Sequence, residues 1–496
     1  MALYTPDLDT EVLVVGAGPV GCWLAAELRA SSVDVTVIEA RESRAAWSRG
    51  FIVHPRTLEI LDSRGVARHL VDAGRRSPTW HFAMGSRRLD FSVLPTTFPF
   101  VLIQPQARTE ELLEEHLVAH GGSVRRGVRA VGLTQFADRV AVQVQGDGGE
   151  RTVTARYVVG CDGAHSAIRK AAHIDFSGNP DSLSSPSALV ELADPPPPEQ
   201  YMQARGQGLF FAIPLPDGRF VVSTIDHAAM GQVGIPWTAE MVRESLIRIT
   251  GTDYGMREPE RVSTLGNSAK QAHRYRDRRV LLAGDAAHVH FPMGGQGMNL
   301  GIQDAHNLAW RLAAAVRTEH DGEDVPDELL DGYEAERRPV GERVLEDVRA
   351  QMALVAATGA DGAALRSRFE ALLSEHPEVN LQYALRLSGL DVRYPEAGGT
   401  DPQAGGTDPR LGARVPDLLL DVAGSPGGTH LHDLLRRLGA GRFTQLSVRD
   451  PGASADIAAA AVLGPEWALR AGWGRPESVL IRPDGHVALV RPARIA

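Results

Sequence analysis

Cysteine is nearly absent: Cys22 and Cys161 are the only two in 496 residues. A disulfide scaffold, a four-thiolate zinc site and a CxxC redox centre are thereby excluded, and both thiols suit a reducing cytoplasm. Lysine is equally scarce. Lys170 and Lys270 stand alone, so arginine supplies nearly all of the 52 basic side chains, a mark of gene base composition rather than of chemistry. No apolar run approaches the roughly 18 residues that a membrane span needs, and Met1–Asp9 lacks the basic-then-apolar pattern of a signal peptide. No GxSxG elbow and no GxxxxGK[ST] loop occurs, which leaves hydrolase and P-loop readings without a foothold. Nor does basic charge dominate, because the formal net charge is −10, and that disfavours nucleic-acid binding. These absences describe a cytoplasmic protein with neither membrane nor nucleic acid as partner.

What remains is globular composition, 43% hydrophobic and 23% charged, long enough for about three domains at roughly 150 residues each. The 51 glycines and 31 prolines exceed the usual share and point to tight turns and close backbone approaches. Glu11–Val15 reads as a strand, Val20–Leu28 as a helix and Val33–Ile38 as a second strand, the repeating unit of a parallel sheet. Ala107–Ala119 and Met298–Val316 also read as helices; in the latter Ile302, Ala305, Ala309, Leu312 and Val316 keep helical spacing, with Asp304, Asn307 and Arg311 elsewhere. Leu209–Pro214 and Arg219–Ile225 read as antiparallel strands around a Pro216-Asp217-Gly218 turn. Near Tyr394 the segment 397–402 recurs as 404–409, a duplicated Gly-rich stretch that cannot pack a core and marks a linker. Beyond it Thr444–Val448, Ser478–Ile481 and His486–Val490 read as strands of a small α/β tail.

Gly16-Ala17-Gly18-Pro19-Val20-Gly21 follows the first strand and opens the first helix. Gly16 permits the tight turn, Gly18 lets the backbone approach a pyrophosphate, and Gly21 lets helix and strand pack closely. Pro19 suits the first helical turn, where its missing N–H costs nothing. The helix N-terminus offers free N–H groups to phosphate, and Glu39, followed by Ala40 at the end of the next strand, stands ready to accept ribose hydroxyl protons. The pattern indicates a bound dinucleotide but does not choose between NAD and FAD.

Two further strands run into turns: Tyr157–Gly163, followed by Ala164–Arg169, and Arg279–Asp285, followed by Ala286–Asn299. At these residues the chain resembles the class A flavoprotein monooxygenases, the single-component FAD hydroxylases of the p-hydroxybenzoate hydroxylase type. It is most similar to the branch that hydroxylates aromatic polyketides and inactivates rifamycins. The resemblance extends to Val479–Val487 near the end. It implies a Rossmann-like FAD-binding domain, an antiparallel-sheet substrate domain and a C-terminal thioredoxin-like domain. Residues 1–181 and 264–393 would form the FAD-binding domain, with 76–103 joining the substrate sheet at 182–263; 394–409 would be the linker and 410–496 the tail.

The resemblance also implies roles. Glu39 would hold the adenosine ribose and Asp285 the ribityl chain. Arg49 would lie beside the pyrophosphate and Gln106 would contact the flavin. Asp162, with Gly163 and Arg169, would serve FAD and NAD(P)H, and Pro292, Gly295, Gly297, Met298 and Asn299 would wrap the isoalloxazine ring. A helix starting near Gly297 would point its N-terminus at the ring, where reduced flavin carries negative charge, and Gly294, Gly295 and Gly297 would allow close approach. The implied cofactors are FAD, with NADPH or NADH as transient reductant. The implied reaction inserts one oxygen atom into a polycyclic phenol through a flavin C4a-hydroperoxide, with molecular oxygen as co-substrate. No protein nucleophile is expected and no catalytic base is assignable; Pro292 and Gly295 would simply lie near the ring. The loop 45–53, with Trp47 and Arg49, is the candidate gate for flavin movement, and Leu209, Phe210, Phe211, Ile213 and Phe220 are candidate apolar substrate walls. A Baeyer–Villiger outcome on the same scaffold and a non-catalytic flavin-bound sequestering protein remain alternatives. Monomer and homodimer are both open.

Competing signals are weaker. His288 and His290 beside Asp285 could suggest a metal, but the Gly-Asp context explains Asp285 better, so no metal is expected. His116 and His120 share a helix face, yet Leu117 replaces the glutamate that an HExxH zinc site needs. Arg274, Arg276, Arg278 and Arg279 read as a solvated face. No cysteine follows Cys161, so a thioredoxin-like tail here would be redox-inactive and structural or dimer-forming.

Overall fold

Thr10–Val15 is buried along almost its whole length, as a β-branched run must be in the middle of a parallel sheet covered on both faces. In the computed structural model, which describes residues 8–44, 48, 50–215, 217–394, 408–423, 425, 427–448, 455–475 and 477–492, it lies between Val35–Glu39 and Gly149–Gly160, parallel to both. Val280–Leu282 adds parallel to Gly149–Gly160 and Val124–Arg126 to Val35–Glu39, so that five parallel strands form one layer. The N-terminal half of Gly149–Gly160 also pairs antiparallel with Val140–Gly146, which pairs in turn with Arg129–Gln135.

The helix expected to start at Val20 runs Pro19–Ala30, with Pro19 in its first turn, and packs on the helices Gln106–Ala119 and Gly297–His320. The last of these departs from expectation. It is not amphipathic: Asp304, Asn307 and Arg311 are as buried as Ile302 and Leu308. Burial of these polar groups is possible because each has a charged or hydrogen-bonding partner on the following helix, Asp327–Ala356, or in the tail.

Met202–Arg205, Gly208–Pro214, Phe220–Asp226, Ser184–Val190 and Arg261–Gly266 form a five-stranded antiparallel sheet in that order. Both of its faces are covered, which divides the candidate substrate walls. Phe210 and Phe220 point to the helix Ala239–Thr250 and pack with Val242, Leu246 and Tyr254. Leu209, Phe211 and Ile213 point the other way, into a cluster with Phe291, Met293 and Leu300. Strand alternation therefore withdraws Phe210 and Phe220 from the side facing the strand-end turns.

The duplicated linker lies outside the described residues apart from 408–409. Residues 408–492 form an α/β unit with a four-stranded sheet in the order Ile457–Ala459, Thr444–Val448, Glu477–Ile481, Val487–Pro492, a second small sheet, and the helices Leu431–Leu438 and Glu466–Arg470. The turn between its last two strands does not face solvent. Arg482 donates to both oxygens of Glu336 at 2.8 Å, Arg311 reaches Glu336 at 2.8 Å, and Asn307 donates to Glu336 and to Asp484. Arg56 donates to the carbonyl of Asp484, and Arg414 to Glu59. Burial pushes the Glu336 and Asp484 carboxyls up, but the Arg482 guanidinium outweighs it and holds both below the usual carboxylate range.

Removing one partner from a buried ion pair leaves the others uncompensated and typically costs about 3–5 kcal/mol. Glu336→Ala is accordingly expected to lower the free energy of unfolding by an amount of that order near neutral pH, read as a lower urea midpoint. Because the folded carboxyls titrate below their unfolded values, this stabilisation is complete above the unfolded value and is lost as pH falls through it and beyond. The gap between wild type and Glu336→Ala should therefore narrow in acid, read by urea unfolding across pH.

Candidate functional site

The registers bring the parallel strands to a common edge: Val15 lies opposite both Ile38 and Gly160, and Gly160 opposite Leu282. Their C-terminal ends therefore release Gly16–Gly18, Ala40, Cys161–Gly163 and Ala283–Asp285 side by side, the usual place for ligands in open α/β sheets.

Gly16 has φ +105°, and a Cβ there would lie 2.3 Å from the Cys161 carbonyl oxygen. A Cβ on Gly21 would meet the Gly16 carbonyl oxygen at 1.9 Å. Those two glycines are required by the protein's own packing. Gly18 is different: nothing lies within 4 Å of the position its Cβ would take. Val20 packs its methyls towards Gly284 and Gly301, tying the first turn to the third. Glu39 is buried and accepts from the Ala17 N–H and from the Arg41 N–H, each at 3.0 Å, and from the Arg41 guanidinium at 3.1 Å. Burial pushes this carboxyl up, and those donors outweigh it, so that it stays ionised and below its ordinary value. Ala40 is half-buried beside it.

Asp162 spends one oxygen on the amides of Ala167 and Ile168, capping a short helix, while the other is buried without a partner among the described residues. Arg169 donates to the carbonyls of Ala286 and Ala164, each at 2.8 Å, and so clasps the second turn to the third. Asp285 is exposed and has no hydrogen bond or ion pair among the described residues. Gln106, at the start of its helix, donates to Glu110 at 2.7 Å, and its amide N–H donates to Gly50. Arg49 and residues 45–47 of the candidate gate, Trp47 among them, lie outside the described residues.

Pro292 is exposed, ahead of a turn in which Gly294 and Gly295 both have φ +74°. A Cβ on Gly295 would strike Ile52, and one on Gly294 would strike Leu387. The sequence reading gave these glycines to ring approach; here their lack of a side chain is already required by Ile52 and Leu387. Gly297 begins a helix of 24 residues whose N-terminal amides face this edge. Met298 is half-buried, and Asn299 is buried, accepting from the His54 N–H and donating to the carbonyls of Ile52 and Gly295.

His54 and Arg337 carry no signal in the sequence, and Asp304 shows there only as a residue off the apolar face. His54 donates through Nε2 to the Gly294 carbonyl at 2.8 Å, and burial pulls it down to about 4, so the ring is neutral. Asp304 accepts from His288 at 2.6 Å, from Arg337 at 2.8 Å and from the Gly284 N–H at 3.3 Å. His288 is thus committed to a carboxylate beneath the Gly-Asp turn. The available signal is the spacing of Asp304, Asn307 and Arg311 at i, i+3 and i+7, a polar stripe along one side of the helix. Away from this edge, Arg276 pairs with Asp327 and Asp331, and Arg279 with Glu319, along a surface cleft.

The donor set fits a dinucleotide. Gly18 faces open space, a long helix presents its N-terminus, and among the described residues Asp285 has no partner and the buried Asp162 Oδ1, Gln296 Nε2 and His290 Nε2 lack partners around the same turns. A family model described as an FAD binding domain matches residues 9–348. The chain belongs to that family. FAD is its cofactor, and NAD(P)H is the reductant typical of its monooxygenases. It is 40% identical over 489 residues to the uncharacterized aromatic compound monooxygenase YhjG of Bacillus subtilis, covering 96% of this chain and 93% of that protein. It is 37% identical over 506 residues to the 12-dehydrotetracycline 5-monooxygenase/anhydrotetracycline 6-monooxygenase of Streptomyces rimosus subsp. rimosus, covering 96% and 94%. The solved structure of the OxyS anhydrotetracycline hydroxylase from Streptomyces rimosus superposes with a TM-score of 0.85 at 36% identity, covering 97% of this chain and 96% of that one. No helix among the described residues is long and apolar enough to cross a membrane.

Asp285 and Gly18 carry no packing role, so changing them separates cofactor binding from folding. Asp285→Ala and Gly18→Val should leave the urea midpoint of the FAD-free protein near wild type while weakening FAD binding at least about tenfold, about 1.4 kcal/mol, by fluorescence titration. Gly21→Val, in contrast, should prevent folding.

Proposed function

We propose that this chain is an FAD-dependent, NAD(P)H-consuming monooxygenase that hydroxylates a polycyclic aromatic polyketide or a similar phenolic metabolite. The observation that carries the reading is a cavity of about 260 Å³ between the five-stranded sheet and the strand Ile52–Val53. Ile52, Ile103, Trp80, Ala212 and Ile213 form much of its wall, and Ile52 is the side chain that abuts Gly295. It therefore leads from the sheet to the turn before the Gly297 helix. A second cavity of about 160 Å³, lined by Pro105, Leu189, Leu215 and Val221 among others, lies past Pro214.

Bound FAD supplies the redox chemistry, taking electrons from NAD(P)H and activating molecular oxygen. The chain's own residues hold, orient and exclude water. Glu39 and Asp285 take hydroxyl donors of the cofactor, and Gly18 leaves room for its phosphates. The Gly297 helix directs partial positive charge at the ring position. Asn299 and neutral His54 lock the Ile52 strand against the Gly294-Gly295 turn, which fixes the cavity's inner wall. Leu209, Phe211 and Ile213 keep that side dry, as a reactive oxygen species requires.

The sheet 182–263, with the hairpin from 76–103, serves as the substrate body, and 1–181 with 264–393 as the FAD body. The tail is a thioredoxin-like unit without cysteine, bracing the Gly297 helix through Arg482 and Asp484. The relatives described above, a hydroxylase among them, favour hydroxylation over ring expansion or sequestration.

The test is aerobic NAD(P)H consumption by the FAD-loaded protein with anhydrotetracycline and other polycyclic phenols, with product mass recorded. Ligand-stimulated NAD(P)H oxidation and a product gaining one oxygen are expected. Stimulation that yields only hydrogen peroxide across the panel overturns the substrate class, and a protein that binds no FAD overturns the whole reading.

A further inference from the structure

The cavity between the sheets has an uneven charge. Arg75 and Arg88 both line it, with no carboxylate among its lining residues. Arg88 sits in the hairpin Thr79–His81/Arg88–Asp90 and is only half-exposed. Its guanidinium has no ion pair among the described residues, and its one contact there is the thioether of Met202 at 3.8 Å. The nearby carboxylate of Glu370 is occupied instead by the amide and hydroxyl of Ser86. Burial without a paired acid pulls the Arg88 pKa below its ordinary value, against a weaker pull from Glu370. Trp80, on the same hairpin and lining the same cavity, is 5% exposed, and its indole N–H is buried with no partner. The cavity thus holds one buried donor without an acceptor among the described residues, and a cation whose one hydrogen bond there is to a thioether, beside apolar walls leading to the Gly295 turn. A buried indole N–H of this kind is costly unless a ligand satisfies it.

Resting on the hydroxylase reading above, we propose that Arg88, assisted by the Trp80 indole, binds the substrate as its phenolate or enolate and is a specificity-determining residue for acidic aromatic hydroxyls. On binding, the phenolic O–H bond breaks, the electron pair stays on oxygen against the guanidinium, and the proton leaves to solvent. The ring is then electron-rich without any protein base, which agrees with the absence of a candidate base along this cavity. Arginine suits the task because it stays charged and presents several donors to one oxyanion.

The experiment is a spectrophotometric pH titration of alizarin, a polycyclic phenol whose colour reports its ionisation, bound to the FAD-loaded protein without NAD(P)H. In the wild type the bound phenol should ionise about one pH unit or more below its free value, a tenfold shift. Arg88→Gln should return it to the free value, and Arg88→Lys should retain part of the shift. Should Arg88→Gln fail to fold, the wild type still decides: its affinity for alizarin should rise with pH, and that for the dimethyl ether should not. An unshifted ionisation in the wild type, or the same shift in Arg88→Gln, overturns the proposal. Because no turnover is involved, failure of oxygen insertion would count against the hydroxylase reading and not against this one.

Discussion

Asp304 holds the site together from beneath. Its side chain is fully buried, and burial alone would push its carboxyl up, yet Arg337 and His288 outweigh that and keep it ionised. Arg337 spends its remaining donors on the Tyr394 hydroxyl and the Leu300 carbonyl, joining the Gly297 helix, the helix after it and the end of the segment before the linker. The Gly284 N–H completes the arrangement, so the turn that presents Asp285 is fixed to the charge below it. Tyr333 caps the Leu282 carbonyl from the same helix as Arg337. Losing one partner of such a buried cluster leaves an uncompensated charge, which is why so few residues suffice to set the position of the edge.

From that anchor the site divides into groups that support and groups that are left free. Gly16, Gly21, Arg169 and Asn299 have their contacts filled by protein atoms. Gly18 and Asp285 do not, and neither does Arg88 in the adjoining cavity. Around the same edge the buried Asp162 Oδ1, Gln296 Nε2 and His290 Nε2 have no partner among the described residues, as in a site built to receive a ligand. The same division continues into the tail, whose Arg482–Gly485 turn is engaged with Glu336, Asn307 and Arg56 and so braces the Gly297 helix together with its neighbours.

How much of this the sequence disclosed follows from the range of each signal. Gly16 to Gly21 and Glu39 are legible because a strand, a tight turn and a helix start fall within 30 residues, and each glycine answers a local steric demand. The Asp285 turn is legible from its Gly-Asp pair and the glycines after it. The Gly297–His320 helix was legible as a helix but not in its surroundings, since periodicity cannot show that Asp304, Asn307 and Arg311 meet partners 25 to 177 residues away. Phe210 and Phe220 were read with Phe211 as one wall because a strand covered on both faces gives no alternation of polar and apolar positions to split them. The docking of the tail and the isolation of Arg88 are tertiary facts with no local trace.

The most direct test is Asp304→Asn, which keeps the side chain's shape and removes its charge, read by unfolding of the FAD-free protein and by FAD titration of the same sample. The account predicts that both suffer: unfolding is easier by about 3–5 kcal/mol, as expected when buried Arg337 loses its counter-charge, and FAD binds more weakly although Asp304 contacts no exposed edge of the site. An Asp304→Asn protein with wild-type stability and wild-type FAD affinity would contradict it.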